Sequence, residues 1–424
     1  MMKKLFLMLV CGLFGLNSFC QVALMEADGM AEGGCSTLPF MQKLTPDGER
    51  GFVIKGEIRN SKDGMKVVLL NDLAWPAQVG DSTVIKDGKF ELSGYVYNPL
   101  LVKIVIDSKP GDKDEFGLLA TAFFLENSDI TYTGDVNTLE TYFYNPDAKG
   151  KVPAKVTGSK ENDLYLRYQE EEKVLKDRYR ELNDKCYDLY ESGQMEEAVR
   201  VSKQVNEAEN AIRSLRLKYI KQYPGSGLAN EQLGWLIHTT IYMDFTAKQL
   251  DQLKSLMINA NPQRAGELEK MFARAKQTAL GEKYSDLDLM LPDGKMVKLS
   301  EFIPKGKYVL LDFWFSGCGP CRAEIPHLKQ VYEQYKDKDF TIVSIAAEPN
   351  KSDWLKALKE ENMPWAQLFD GDPTVYDGPT CVKYNIGGFP TAILLDKEGR
   401  FFKTNMRGVN LDIVLKELFG VPSK

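Results

Sequence analysis

Two cysteines held apart by a Gly-Pro pair, Cys318-Gly319-Pro320-Cys321 in the stretch DFWFSGCGPCR, are the residues of this 424-residue chain whose type and spacing most directly suggest chemistry. Thiols three residues apart can form half of a zinc site, a structural disulfide or a redox-active dithiol. A structural zinc site needs four ligands, usually two such pairs or one pair with histidines. Cys381 and His327 are the nearby candidates and neither completes a second pair, so the sequence predicts no metal, and it points to no other cofactor. A disulfide across two residues constrains the unfolded chain very little and would stabilise little by loop entropy. The dithiol is the reading that remains. An apolar run precedes the pair and a helical pattern follows it, which puts Cys318 at a helix start, where unpaired N–H groups and the helix dipole favour a thiolate. Cys321, one turn later, is less accessible but within reach to resolve a mixed disulfide.

Two carboxylates flank the pair. Asp312 interrupts the apolar strand six residues before Cys318; buried there, it would have its pKa raised by desolvation. Glu324 lies three residues past Cys321, on the same helix face. Either can take the proton from Cys321 as it attacks a mixed disulfide. The bland alternatives are a hydrogen-bonded strand-end residue and a solvated surface glutamate. Downstream, GGFPT (387–391) precedes a strand, and an X-Pro bond at a strand start can be cis at modest cost.

The elements around these residues divide the chain. Its hydrophobic content of 43% and charged content of 27% are those of a globular protein, and a net charge of −6 offers no basic footprint for nucleic acid. Lys3 and Lys4 precede an apolar run from Leu5 to Leu16 that ends in Asn17-Ser18-Phe19-Cys20, the layout of a secretory signal peptide over 1–20. The run is short for a membrane-anchoring helix. A lipid on Cys20 would anchor the protein, although bulky Phe19 argues against it. Export to a bacterial envelope, in the periplasm, is expected. Cys35, Cys186, Cys318, Cys321 and Cys381 then remain, and their spacings make no disulfide framework.

Residues 21–48 read as a linker. From 49 to 158, the short runs FVIKGEIR, KVVLL, STVIKDGKFELSGYV, LVKIVI and ITYTG alternate apolar with polar residues, predicting an antiparallel β-sandwich with a hairpin turn at Asp87-Gly88. From 159 to 280 the period changes. Leu175, Tyr179, Leu182, Cys186 and Leu189, then Ala198, Val201, Val205, Ala208, Ile212, Leu215 and Tyr219, form two amphipathic stripes broken at Glu191-Ser192-Gly193. They predict an antiparallel helical hairpin with Cys186 packed in its seam, and Thr246 is a plausible N-cap for a later helix. His238, in GWLIHTTIY, reads as a core or interface histidine. From 281 to 424, strands KYVLLDFWF, FTIVSIAA, TAILLD and RFFKTN alternate with helices, so the cysteine pair falls at the carboxyl end of a buried strand, where α/β sheets place their sites.

Asp312-Phe313-Trp314, Cys318-Gly319-Pro320-Cys321 and Phe389-Pro390-Thr391 together resemble the active site of the thioredoxin fold. CRAEIP, with Glu324 and Pro326, resembles the envelope thiol–disulfide oxidoreductases of the TlpA and ResA type. DLMLPDGKMVKLSEF is similar to the opening of that family and of the wider alkyl hydroperoxide reductase and thiol-specific antioxidant superfamily. The resemblance covers roughly 281–424 and implies a thioredoxin-like α/β domain. It implies Cys318 as nucleophile, Cys321 as resolving thiol, cis-Pro390 against them, Asp312 as the buried acid and Glu324 as the acid of the helix. It also implies substrate lying along Trp314, Gly317, Gly319, Pro320, Phe389 and Thr391, disulfide-bearing proteins as substrates, a membrane electron-donor protein as reductant, and a role in cell redox homeostasis. Gly317 stands where the family usually has tryptophan, and Cys381 lies in an unusually long segment, 370–384, as either a third redox thiol or a packed one. The strand-rich segment resembles an uncharacterised domain found ahead of such domains and assigns no activity. A peroxiredoxin-like thiol peroxidase is the second reading, disfavoured because Phe315 stands where that chemistry wants threonine. A non-enzymatic partner-binding module or chaperone is the third; on it the helical stripes would hold a partner or a dimer.

Overall fold

The computed structural model describes residues 40–71, 77–110, 117–143, 150–237, 245–371 and 378–420. The expected signal peptide, most of the expected linker and His238 lie outside them. The described residues form two compact units, one reaching to Lys173 with Ser226–Glu231, the other comprising Val174–Gly225 and the chain from Gln232 onward.

The first unit contains β1 (Phe52–Arg59), β2 (Lys66–Asn71), β3 (Gln78–Val84), β4 (Lys89–Gly94), β5 (Leu100–Asp107), β6 (Leu118–Leu125), β7 (Asp129–Asp135) and β8 (Lys155–Thr157). They make two four-stranded sheets, ordered β4-β1-β7-β8 and β3-β2-β5-β6. Alternation along β1 sends Phe52, Ile54 and Ile58 inward to meet Val67, Leu69, Val102, Ile104 and Phe123 of the other sheet in one core, which is the expected sandwich. At Asp87-Gly88, Lys86 and Lys89 exchange both backbone hydrogen bonds at 2.9 Å, and both turn residues have positive φ, 50° and 74°, as a two-residue hairpin requires. One pairing departs from the antiparallel expectation. β1 and β7 run parallel, from Val53 opposite Asp129 to Arg59 opposite Asp135, the chain having crossed to the second sheet for β2 and β3, returned for β4 and crossed again for β5 and β6 between them.

Helix α1 (Lys160–Glu191) follows, then α2 (Met195–Gln222), α3 (Gly227–Leu236), α4 (Ala247–Ala260) and α5 (Ala265–Lys276). Gly193, at φ 77°, ends α1 with its N–H on the Tyr190 carbonyl at 3.0 Å, a left-handed cap that suits glycine. Every residue of the stripe expected on α2 is buried, and Thr246 caps α4 through a reciprocal pair with Gln249. The helical stretch expected over 159–280 is shared between the two units. Its start packs Tyr165 on Phe124, whereas its hairpin packs elsewhere, as described next.

The second unit is built on a seven-stranded sheet of β9 (Asp288–Met290), β10 (Met296–Lys298), β11 (Tyr308–Trp314), β12 (Phe340–Ala346), β13 (Ala366–Phe369), β14 (Thr391–Leu395) and β15 (Phe401–Lys403), ordered β10-β9-β13-β12-β11-β14-β15. β11, β12 and β13 are parallel and β14 antiparallel. Helices α6 (Gly319–Tyr335), α7 (Lys351–Glu361), α8 (Pro379–Lys383) and α9 (Gly408–Phe419) complete it. Along β11, Val309, Leu311 and Phe313 face one core, and Leu310, with Trp314, faces the other. The helical hairpin places Cys186, Val201 and Val205 against Val409 and Ile413 of α9.

Candidate active site

The pair sits where β11 ends and α6 begins. A turn from Phe315 closes with the Cys318 N–H on the Phe315 carbonyl at 3.0 Å. Cys318 is the N-cap of α6, its Sγ accepting the Cys321 N–H at 3.1 Å, and Pro320 occupies the first turn, where its missing N–H costs nothing. Cys318 and Cys321 are joined in a disulfide, and each is buried, at 5% and 4% exposure. Beyond β11, the register that sets Phe313 opposite Thr391 carries the chain back through Pro390, and the Phe389–Pro390 peptide is cis. Phe389 meets Phe315 edge to face, centroids 5.5 Å apart, and both rings pack on the cysteine cluster.

Asp312 shares a sheet face with Leu310 and Trp314. Buried, it accepts the Ser344 hydroxyl at 2.7 Å, and Ser344 Oγ in turn accepts the Trp365 indole N–H at 2.8 Å. Burial pushes the Asp312 carboxyl up to about 6, against the Ser344 hydrogen bond, with the charge of Glu324 adding to the rise and that of Arg407 opposing it. Glu324 is not a solvated acid. One oxygen accepts Arg407 Nε at 2.8 Å and the other the Gly408 N–H at 2.8 Å, which ties α6 to the start of α9. Beside it, Asp412 Oδ2 receives both the Tyr190 hydroxyl at 2.6 Å and His327 Nε2 at 2.9 Å. Burial lowers the His327 pKa, but the hydrogen bond and charge of Asp412, aided by Glu324, outweigh it and leave the imidazole above its ordinary value.

Of the expected substrate residues, Gly317 and Gly319 are exposed and Pro320 and Phe389 partly so. Trp314 and Thr391 are buried, at 1% and 3% exposure. Trp314 packs with Ile325 and Trp354, and Thr391 donates its hydroxyl to the Gly388 carbonyl at 2.7 Å. A side chain at Gly317 would meet only the Phe315 ring, at 3.4 Å, so the position is open. Cys381 is fully buried in the core with Phe313 and Tyr384, on the sheet face away from the disulfide. It sits where a packed core thiol would. The segment holding it is fixed from the helices: Arg274 Nη2 donates to the Cys381 carbonyl at 3.0 Å and Asn385 Nδ2 to the Ile237 carbonyl at 2.8 Å. Residues the sequence reading passed over are Glu348, which takes both donors of Ser316, and Arg407. A charged residue just past a strand end was the signal for Glu348; nothing local marked Arg407.

The fold and the cysteine pair define a thioredoxin-like redox domain, and comparison with known proteins places it. Residues 280–401 match the AhpC/TSA family and residues 52–165 a domain of unknown function, DUF4369. The thiol-disulfide oxidoreductase ResA of Bacillus cereus is 26% identical over 129 residues, 30% of this chain and 70% of that protein. The protein of the same name from Bacillus subtilis is 28% identical over 133 residues, covering 31% and 70%. Among solved structures, the thioredoxin domain of a thiol-disulfide oxidoreductase from Bacteroides vulgatus is 36% identical over 33% of this chain and 97% of that one, with a TM-score of 0.30. A thiol:disulfide interchange protein from a Bacteroides species is 34% identical, covering 35% and 95%, with a TM-score of 0.31. Residues 280–401 are therefore a thioredoxin-like domain of AhpC/TSA type, and the similarity of that domain to the ResA proteins makes the chain an oxidoreductase of the thiol–disulfide kind.

Proposed function

We propose that this protein is exported and reduces disulfides in other envelope proteins by exchange at Cys318 and Cys321. The observation that carries the reading is the N-cap placement of a disulfide-bonded Cys318, with a buried carboxylate, Asp312, near the end of the strand that leads to it. In the reduced protein the Cys318 thiolate attacks one sulfur of a substrate disulfide, forming a mixed disulfide and expelling the other sulfur as a thiolate. Cys321 then gives its proton to Asp312, attacks Cys318 Sγ and releases the second substrate thiolate. Two electrons pass to the substrate and the enzyme is left as the disulfide. Asp312 is the better proton acceptor of the two acids, because both oxygens of Glu324 are already engaged. Pro390, Phe389, Phe315, Gly317 and Gly319 frame the substrate chain. Re-reduction requires a dithiol donor, and for an exported protein that donor is a membrane electron carrier.

Titration of the purified protein against glutathione buffers, with alkylation and mass readout, tests this. The Cys318–Cys321 pair is expected to cycle near the roughly −270 mV of a thioredoxin, and Cys318→Ser to abolish reduction of protein disulfides. A pair that never cycles, or a Cys318→Ser variant with full activity, would sink the proposal.

A further inference from the structure

Ser316 is the first inner residue of the turn that presents Cys318, and it is held from the neighbouring strand. Its N–H donates to one oxygen of Glu348 at 2.8 Å and its hydroxyl to the other at 2.6 Å. The parallel register explains the match: Trp314 lies opposite Ala346, the Ala347 N–H continues the ladder onto the Trp314 carbonyl at 3.0 Å, and two residues on from each reference point stand Ser316 and Glu348. Glu348 is 6% exposed and ends no ion pair among those described. On the reading that Cys318 and Cys321 carry the exchange, we propose that Glu348 is a positioning residue, fixing the Cys318 turn and, by its negative charge beside that turn, disfavouring the Cys318 thiolate so that the pair is the more reducing. Burial raises the Glu348 pKa and the charge of Asp353 adds to it, while the two hydrogen bonds donated by Ser316 favour the charged form and oppose the rise.

The physical basis is that a thiolate is destabilised by a nearby anion, and that whatever stabilises the reduced form makes a dithiol more oxidising. Glu348→Gln keeps the shape and removes the charge. Its Cys318 thiol, followed through the pH dependence of alkylation, is expected to ionise at lower pH. Its equilibrium constant for reduction by glutathione should rise about tenfold, about 30 mV for a two-electron couple. Ser316→Ala removes one donor and leaves the charge less compensated, so its constant should move the other way, by about threefold. A merely structural Glu348 would lower thermal stability in both variants and leave both redox readings at the wild-type value, which would overturn the proposal. If Glu348→Gln does not fold, a Ser316→Ala constant that is unchanged or increased overturns it equally. A wild-type pair that fails to equilibrate with glutathione instead overturns the redox reading itself, so the two failures are separable.

Discussion

Asp312 is a carboxylate the fold holds at a cost. Its pKa, raised from 3.8 to about 6, means that the folded protein binds this proton more tightly than the unfolded chain does. The sign follows: its contribution to stability is complete below about pH 4 and is lost as pH rises to about 6, a loss of about 3 kcal/mol when the group is fully ionised. Asp312→Asn removes the loss. The variant is expected to be more stable than wild type at pH 7 by up to that amount and nearly equal to it at pH 4, as read by urea denaturation at the two pH values. Its single-turnover resolution of a mixed disulfide should slow by about a hundredfold, the scale of a lost proton acceptor. Equal stability at both pH values, or an undiminished rate, would remove Asp312 from the role.

At the scale of elements, the contact between α6, α9 and the helical hairpin is a polar knot inside apolar packing. Asp412 on α9 receives a donor from Tyr190 on α1 and from His327 on α6. The His327 pKa is raised above 6.5, so the stabilisation from its pairing is complete below pH 6.5 and fades as pH rises through the folded value. His327→Gln is expected to cost about 1.5 kcal/mol at pH 5.5, the low end for a hydrogen bond to a charged group, and less at pH 8.5. A loss independent of pH would contradict the assignment.

Elements also show where sequence patterning succeeds. The hairpin turn at Asp87-Gly88 and the α2 stripe were legible because the cue is local: positive φ in one case and a 3.6-residue period in the other. β6, LLATAFFL, carries no alternation, since almost every position is buried, and periodicity alone did not mark it as a strand. The parallel β1–β7 pairing, the Glu324–Arg407 pair and the Ser316–Glu348 clamp depend on register between segments 32 or more residues apart. The dithiol and its proline were readable because motif order fixes them. Motif membership says nothing of which way a strand residue points, so the burial of Trp314 and Thr391 was not legible in it.

For the whole molecule, the domain that resembles separate proteins is not packed as a separate one here. Relatives such as the Bacillus ResA proteins cover about 30% of the chain, yet Val409 and Ile413 of α9 are buried against Cys186, Val201 and Val205. Arg274 and Ile237 hold the segment that leads to Pro390. A fragment of residues 281–424 is therefore expected to be less stable than one of 174–424. Exposing Val409 and Ile413 accounts for about 3–6 kcal/mol as an upper bound. Urea unfolding of the two fragments reads the difference, and equal midpoints and slopes would show that the helices add nothing.

The hydrogen-bond chain from the Trp365 indole N–H through Ser344 Oγ to Asp312 has an optical consequence. A carboxyl group is silent in visible and near-ultraviolet spectra, but indole emission shifts with the field around the ring. Trp365 is joined to Asp312 through a single hydroxyl, so the emission of this one of the five tryptophans is expected to shift as the buried acid titrates; a pH titration of emission in which the shift is lost in Asp312→Asn checks it.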